Sequence, residues 1–110
     1  MKYLKYFQHH AILSELELAR IQGTYNHKIR QYERCDLLIL DEWPLINTSN
    51  IEQQDILEVL EKRYRTHSTI FCSQFYVAGW HTKLGEDALA DAILDRIILK
   101  SYTIKIGSVK

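Results

Sequence analysis

Glycine and proline are scarce in this sequence of 110 residues: four glycines, at 23, 79, 85 and 107, and a single proline, Pro44. Long flexible linkers and glycine-rich binding loops, which need many such residues, are therefore nearly excluded. Cysteine is scarcer still. Cys35 and Cys72 stand alone, which excludes a disulfide framework and a four-cysteine zinc site. No apolar run exceeds four residues, the length of LLIL at 37–40, so no segment reads as a membrane span. The opening MKYLKYFQHH has no apolar stretch of signal-peptide length, and a cytoplasmic chain without a membrane partner is expected. An excess of one charge is missing too. Lys plus Arg is 14 and Asp plus Glu is 14, a balance that argues against coating DNA or an anionic membrane by bulk charge. A local basic patch remains open.

What is present suits one folded domain over residues 1–110, with 46% apolar and 25% charged residues. The elements alternate. KYLKYF, residues 2–7, reads as a strand. From about Ala11, Ile12, Leu13, Leu16 and Ala19 recur at helical spacing, and Gly23 is placed to end that helix. Thr24 can cap a second helix in which Tyr25, Ile29 and Tyr32 share a face. DLLILDEW, residues 36–43, reads as a strand buried on both faces, broken at Pro44. Ser49 and Glu52 have capping-box spacing ahead of a helix carrying Ile56, Leu57, Leu60 and Tyr64. STIFCSQ, residues 68–74, reads as another buried strand, and Trp80 falls in a loop or short helix. Glu86 and Asp87 favour the start of a helix with Leu89, Ile93 and Ile97 on its apolar face. SYTIKI, 101–106, alternates like a final strand. Strands separated by helices predict an α/β fold with a mostly parallel sheet.

The most informative residues are Asp41 and Glu42, which follow LLIL directly. Ligands of open α/β sheets collect at the carboxyl ends of strands. Four apolar residues and then Asp-Glu is the pattern of a Walker B motif. Asp41 is placed to hold Mg²⁺ beside nucleotide phosphates, and Glu42 to orient an attacking water as general base. The bland alternative is that the two acids simply begin a solvated loop. A third reading, a phosphoryl-accepting Asp of the receiver-domain kind, fits poorly. It needs an earlier strand with paired acids and a Lys at the end of a later strand, whereas Lys105 lies inside its strand pattern.

The stretches YFQHHAILSELELARIQGTYNHKIRQYERCDLLILDEW and RYRTHSTIFCSQFYVAGWHTKLGEDALADAILDRIILKSYTIKI together resemble the IstB-like helper ATPases of bacterial insertion sequences. Those are AAA+ proteins related to the DnaC helicase loaders. The resemblance covers residues 2–106 and rests most on LILDEW, on STIFCSQ followed by the W of AGWH, and on LADAILDRI. It implies a partial three-layer AAA+ (P-loop NTPase-like) domain whose sheet lacks the P-loop strand. Asp41 and Glu42 match the Walker B acids, with Asp41 on the metal. The end of STIFCSQ matches the sensor-1 strand, with Gln74 the better match and Ser73 its neighbour. Arg96 matches the arginine presented to a neighbouring subunit's nucleotide. Its alternative is a surface pair with Asp95 or Asp91.

The family also implies ATP and Mg²⁺ as cofactors, and DNA, a transposase and other AAA+ subunits as partners. Yet no G-x-x-x-x-G-K-[ST] occurs anywhere in the sequence. The chain looks like the part of the domain after the P-loop and its helix, and alone it is expected to bind ATP weakly or not at all and to lack useful ATPase activity. Two alternatives stand beside an ATP-binding transposition helper. One is a non-catalytic module or inert remnant that docks on intact AAA+ subunits; the other is a fragment of a DnaC-like loader. Of the remaining residues, His9, His10, His27, His67 and His81 lack metal-ligand spacing. Lys62, Arg63 and Arg65 form the main basic knot, a possible DNA contact at a helix end.

Overall fold

The computed structural model describes residues 4–44 and 49–98. Three parallel strands form one sheet in the order β1 (Leu4–Gln8), β2 (Leu37–Asp41), β3 (Ser68–Phe71). The register sets Leu4 beside Leu37 and Leu37 beside Ser68, through to Leu40 beside Phe71. Helices α1 (His9–Gln22) and α2 (Tyr25–Arg34) connect β1 to β2, and α3 (Asn50–Arg63) connects β2 to β3. A 3-10 turn (Val77–Gly79), a short α4 (Trp80–Lys83) and α5 (Ala88–Ile98) follow β3. The strand expected at 101–106 lies outside the described residues.

Local chemistry sets most of these boundaries. Gly23 ends α1 at φ +79°, a conformation that costs glycine nothing. Ser49 opens α3 with a full capping box: its Oγ accepts from the Glu52 N–H at 3.2 Å, and Glu52 Oε1 accepts from the Ser49 N–H at 2.9 Å. Asp87 does similar work for α5, its Oδ1 accepting from the Ala90 N–H at 2.9 Å. Thr24 departs from expectation. It holds the N-cap position of α2 but makes no side-chain cap bond, because its Oγ1 turns back toward the Ala19 carbonyl at 3.5 Å.

The core joins Ile12, Leu13 and Leu16 of α1, Ile29 and Tyr32 of α2, Leu38 and Leu40 of β2, Ile56, Val59 and Leu60 of α3, and Ile93 and Ile97 of α5. The described helices thus cover the Leu38 and Leu40 side of the sheet. This corrects the expectations that β2 is buried on both faces and that β3 is a buried strand. Successive strand residues point to opposite sides, so Leu37 and Ile39 are half-buried and Ile70 of β3 is 45% exposed. Connections β1 to β2 and β2 to β3 step the same way across the sheet, and right-handed crossovers then put their helices on the same face.

Two polar groups tie the helix layer together. Asp55 of α3 is buried and accepts from Arg20 Nη2 at 2.5 Å and from the Tyr25 hydroxyl at 2.8 Å. Arg63 is 2% exposed, which removes it from the basic knot expected at the surface. Its Nη1 donates to the carbonyls of Tyr32 and Cys35, both at 2.6 Å, its Nε to Thr69 Oγ1 at 2.9 Å, and its Nη2 to the Ser68 carbonyl. Burial pulls its pKa below the usual arginine value.

Candidate functional site

β2 ends at Asp41, and the chain turns sharply there because Glu42 adopts φ +59°, in the left-handed region. The sheet ladder nevertheless continues past the strand ends. The Cys72 N–H donates to the Leu40 carbonyl at 2.9 Å, and the Trp43 N–H donates to the Cys72 carbonyl at 3.0 Å. Trp43 anchors the turn from below. It is fully buried, with its ring centroid 4.9 Å from Phe71 and 6.1 Å from Trp80. Trp80 is held in turn by its indole N–H, which donates to the Phe75 carbonyl at 3.2 Å. The peptide between Trp43 and Pro44 is cis.

This frame fixes where the acids sit. Asp41 is half-buried, and its Oδ1 accepts from the Glu42 N–H at 2.8 Å, which orients the carboxylate over the turn. Glu42 is exposed. Ser73 and Gln74 leave β3 on the same carboxyl rim. The Ser73 hydroxyl is engaged in its own turn, accepting from the Phe75 N–H at 2.9 Å and donating to the Phe75 carbonyl at 3.2 Å. Gln74 is exposed. Asp41, Glu42, Ser73 and Gln74 therefore share one rim of the sheet.

Arg96 does not join them within the chain. It lies on α5, where its Nη2 donates to Glu61 Oε2 at 2.9 Å and its guanidinium stands 5.4 Å from the Tyr64 ring centre. Its partner is neither Asp95 nor Asp91; Asp91 faces His81 at 2.7 Å instead. α3 runs back from the carboxyl rim to the start of β3, and Glu61 lies in its last turn. A helix of that length spans ~20 Å, so Arg96 sits toward the opposite, amino rim.

Hard oxygens at the rim, the Asp41 carboxylate above all, suit Mg²⁺, which takes one or two carboxylates and completes its shell with phosphate and water. Among the described residues no group of three or more His, Cys, Asp or Glu gathers as a self-sufficient metal cage. The donor set thus fits an ion brought with a phosphate. It does not fit a bare triphosphate, because the glycines at 23, 79 and 85 lie outside the rim turn and form no phosphate loop. Sequence reasoning missed Arg63 and Asp55. A signal existed for Arg63: it stands seven residues after Ile56 and three after Leu60, on the buried stripe of α3.

Among the described residues no helix is long and apolar enough to cross a membrane. The family model described as IstB-like ATP binding protein matches residues 2–109. An insertion sequence ATP-binding protein of Sinorhizobium fredii, y4pL, is 40% identical over 96 residues, which are 87% of this chain and 39% of that protein. The IS21 ATP-binding protein of Pseudomonas aeruginosa is 30% identical over 95 residues, 86% of this chain and 36% of that protein. The chain therefore spans about two-fifths of the length of these relatives. A crystal structure of the DnaC helicase loader superposes with a TM-score of 0.64 at 16% identity, covering 84% of this chain and 56% of that one, a likeness of fold. The matched span takes in nearly every residue of the sequence, and the chain belongs to the IstB-like ATP binding protein family.

Proposed function

We propose that this chain carries the hydrolytic rim of an ATP-binding helper of insertion-sequence transposition. The observation that carries the reading is the Asp41–Glu42 pair at the carboxyl end of β2, the central strand of the three, with Ser73 and Gln74 on the same rim. Mg²⁺, when bound with ATP, supplies charge neutralisation at the phosphates. Asp41 holds the ion, aimed by its bond from the Glu42 N–H. Glu42, exposed and turned out by its left-handed backbone, orients a water and accepts its proton. Gln74 serves as the polar sensor next to the γ-phosphate, since the Ser73 hydroxyl is engaged in its turn. Arg96, on the other rim, acts on a neighbouring subunit's nucleotide. In the assembled protein these groups work with DNA and a transposase, a reading supported by the likeness to ATP-binding proteins of insertion sequences.

Two measurements test this. Titrated alone with labelled ATP and Mg²⁺, the chain is expected to show no saturation in the micromolar range; micromolar binding refutes the reading of the missing loop. A chimera in which residues 2–109 replace the matched region of an insertion-sequence ATP-binding relative supplies the loop in cis. It is expected to turn over ATP, with Glu42→Gln keeping nucleotide binding but lowering turnover about 10²–10⁴-fold. Turnover by that variant at the parent rate defeats the assignment of Glu42.

A further inference from the structure

We infer that Arg65 is a second phosphate-binding guanidinium, offered together with Arg96 to one triphosphate, and that Tyr64 positions the pair. Both roles extend the one proposed for Arg96 and rest on it.

The chain builds this arrangement where α3 gives way to β3. Arg63, Tyr64, Arg65 and Thr66 form a type II turn. The Thr66 N–H donates to the Arg63 carbonyl at 3.0 Å, Tyr64 stands at φ −59° and ψ 124°, and Arg65 at φ +70°. The third position of such a turn favours glycine or asparagine, because φ is positive there. An arginine at that position is held in a conformation that its Cβ disfavours. Conformations of this kind collect at functional sites. The turn is fixed from beneath. Arg63, buried, donates to the Ser68 carbonyl, and its own carbonyl also accepts from the His67 N–H at 3.1 Å.

The turn carries two cations to one ring. The Arg65 guanidinium lies 5.3 Å from the Tyr64 ring centre, and that of Arg96, arriving from α5, lies 5.4 Å from the same centre. A π face attracts either cation, but the cations repel each other. Glu61 offsets Arg96 at 2.9 Å, and Glu58 stands against the neighbouring Lys62 at 3.9 Å. Arg65 is exposed, and among the described residues no carboxylate forms an ion pair with it. Two guanidiniums on one ring, one of them without an acid, match an anion of several charges, and guanidinium forks suit phosphate oxygens. Contact with the ring holds both side chains ready, which lowers the cost of ordering them on the anion. Arg96 acts on a neighbour's nucleotide only if that neighbour's carboxyl rim meets this end of the sheet. The triphosphate held there is then the anion that Arg65 also meets. A nucleic-acid backbone offers the same phosphate chemistry with its charges spread out, and is the rival source.

The test titrates inorganic triphosphate into the full chain and follows the arginine Nε–H signals by NMR. Those of Arg65 and Arg96 are expected to shift together, with one affinity. Arg65→Gly, which the turn accepts, should weaken binding at least about threefold with no loss of urea stability. Tyr64→Leu should weaken it in the same direction, and Tyr64→Phe, which keeps the ring, should bind as the parent does. Lys62→Ala, which removes an equal charge from the same helix end, should leave binding unchanged. No binding, binding indifferent to Arg65→Gly, or an equal loss with Lys62→Ala overturns the inference, the last because bulk charge then explains it. Tyr64→Leu without effect overturns the positioning role. Tighter Arg65-dependent binding of a 5′-phosphorylated trinucleotide, which carries as many phosphates, gives the pair to nucleic acid and overturns the inference too. In the chimera carrying residues 2–109, Arg65→Gly should lower kcat and leave the KM for ATP nearly unchanged, as Arg96→Gln should. A loss with Arg96→Gln alone leaves the proposed function standing and overturns the second guanidinium. Indifference to both variants overturns the role of Arg96 and, with it, that of Arg65.

Discussion

Replacing Arg63 with methionine isolates a single buried guanidinium. The methionine keeps much of the apolar stem volume and removes every donor. Left behind are the carbonyls of Tyr32, Cys35 and Ser68 and the hydroxyl of Thr69, which Arg63 now joins across α2, α3 and β3. The first two close the carboxyl end of α2, where carbonyls have no partner within the helix and a cation suits the dipole. A buried polar group left without its bond costs about 1–3 kcal/mol. Four acceptors lose a bond, and water reaching the half-open ones offsets part of that, so the net loss is set at about 3–5 kcal/mol. Stability of a domain this size is about 5–15 kcal/mol. With a urea slope of about 2 kcal/mol per molar, the midpoint should fall by about 2 M. Trp43 and Trp80, both buried, report the transition by fluorescence. Arg63→Lys should fall between, because an ammonium cannot reach the acceptors on both α2 and β3 at once. Lys62→Ala, one position away and exposed, should stay within about 0.5 kcal/mol of the parent. A loss below about 1 kcal/mol for Arg63→Met refutes the tie and returns Arg63 to the surface.

Three further outcomes follow from local geometry. Ser49→Ala should cost about 1 kcal/mol in urea denaturation by removing the capping box, while Thr24→Ala should cost a few tenths, its hydroxyl making no cap bond. Glu42→Gly should hold or raise stability, by up to about 1 kcal/mol, because glycine adopts φ +59° without strain; a clear loss means the carboxylate stabilises the turn. Burial, and the bond to Asp55, raise the Tyr25 hydroxyl to about 12 from its ordinary 10.0. Its contribution is therefore complete below pH 10.0 and is lost as pH rises through about 12, and Tyr25→Phe should flatten that decline in alkaline titration.

The readable parts of this fold are those whose partners are close in sequence. The Ser49–Glu52 box needs residues three apart, and it forms as read. The run LLIL followed by two acids needs nothing but its own pattern, and it ends β2 at the rim as read. Thr24 shows the limit of residue type: the position is right, yet its backbone, at φ −115° and ψ 21°, departs from the extended cap conformation and its hydroxyl points back to α1. Arg63 was hidden because its acceptors come from α2 and β3, elements that spacing along α3 does not announce. The sheet face that the described helices leave open was hidden for a related reason. A continuous apolar run is the same whether the second face is covered by this chain or by something else. Arg96 was readable as a helix arginine, but its partner Glu61 lies 35 residues away.

The separation of Arg96 from the acids constrains any assembly that uses both. Asp41 and Glu42 stand on the carboxyl rim, whereas Glu61 and Tyr64 hold Arg96 toward the amino rim. No rotation of one arginine side chain covers the ~20 Å between the ends of α3. The proposed role of Arg96 therefore demands a neighbour whose amino rim lies against this carboxyl rim. Head-to-tail repetition satisfies that at every junction, closing into a ring or running on as a filament. Twofold pairing satisfies it only with the strands antiparallel across the contact, and then closes after two copies. In either arrangement Glu61 must give up Arg96 to a phosphate, and both partners are exposed enough for that exchange, at 46% and 33% of their side-chain surface.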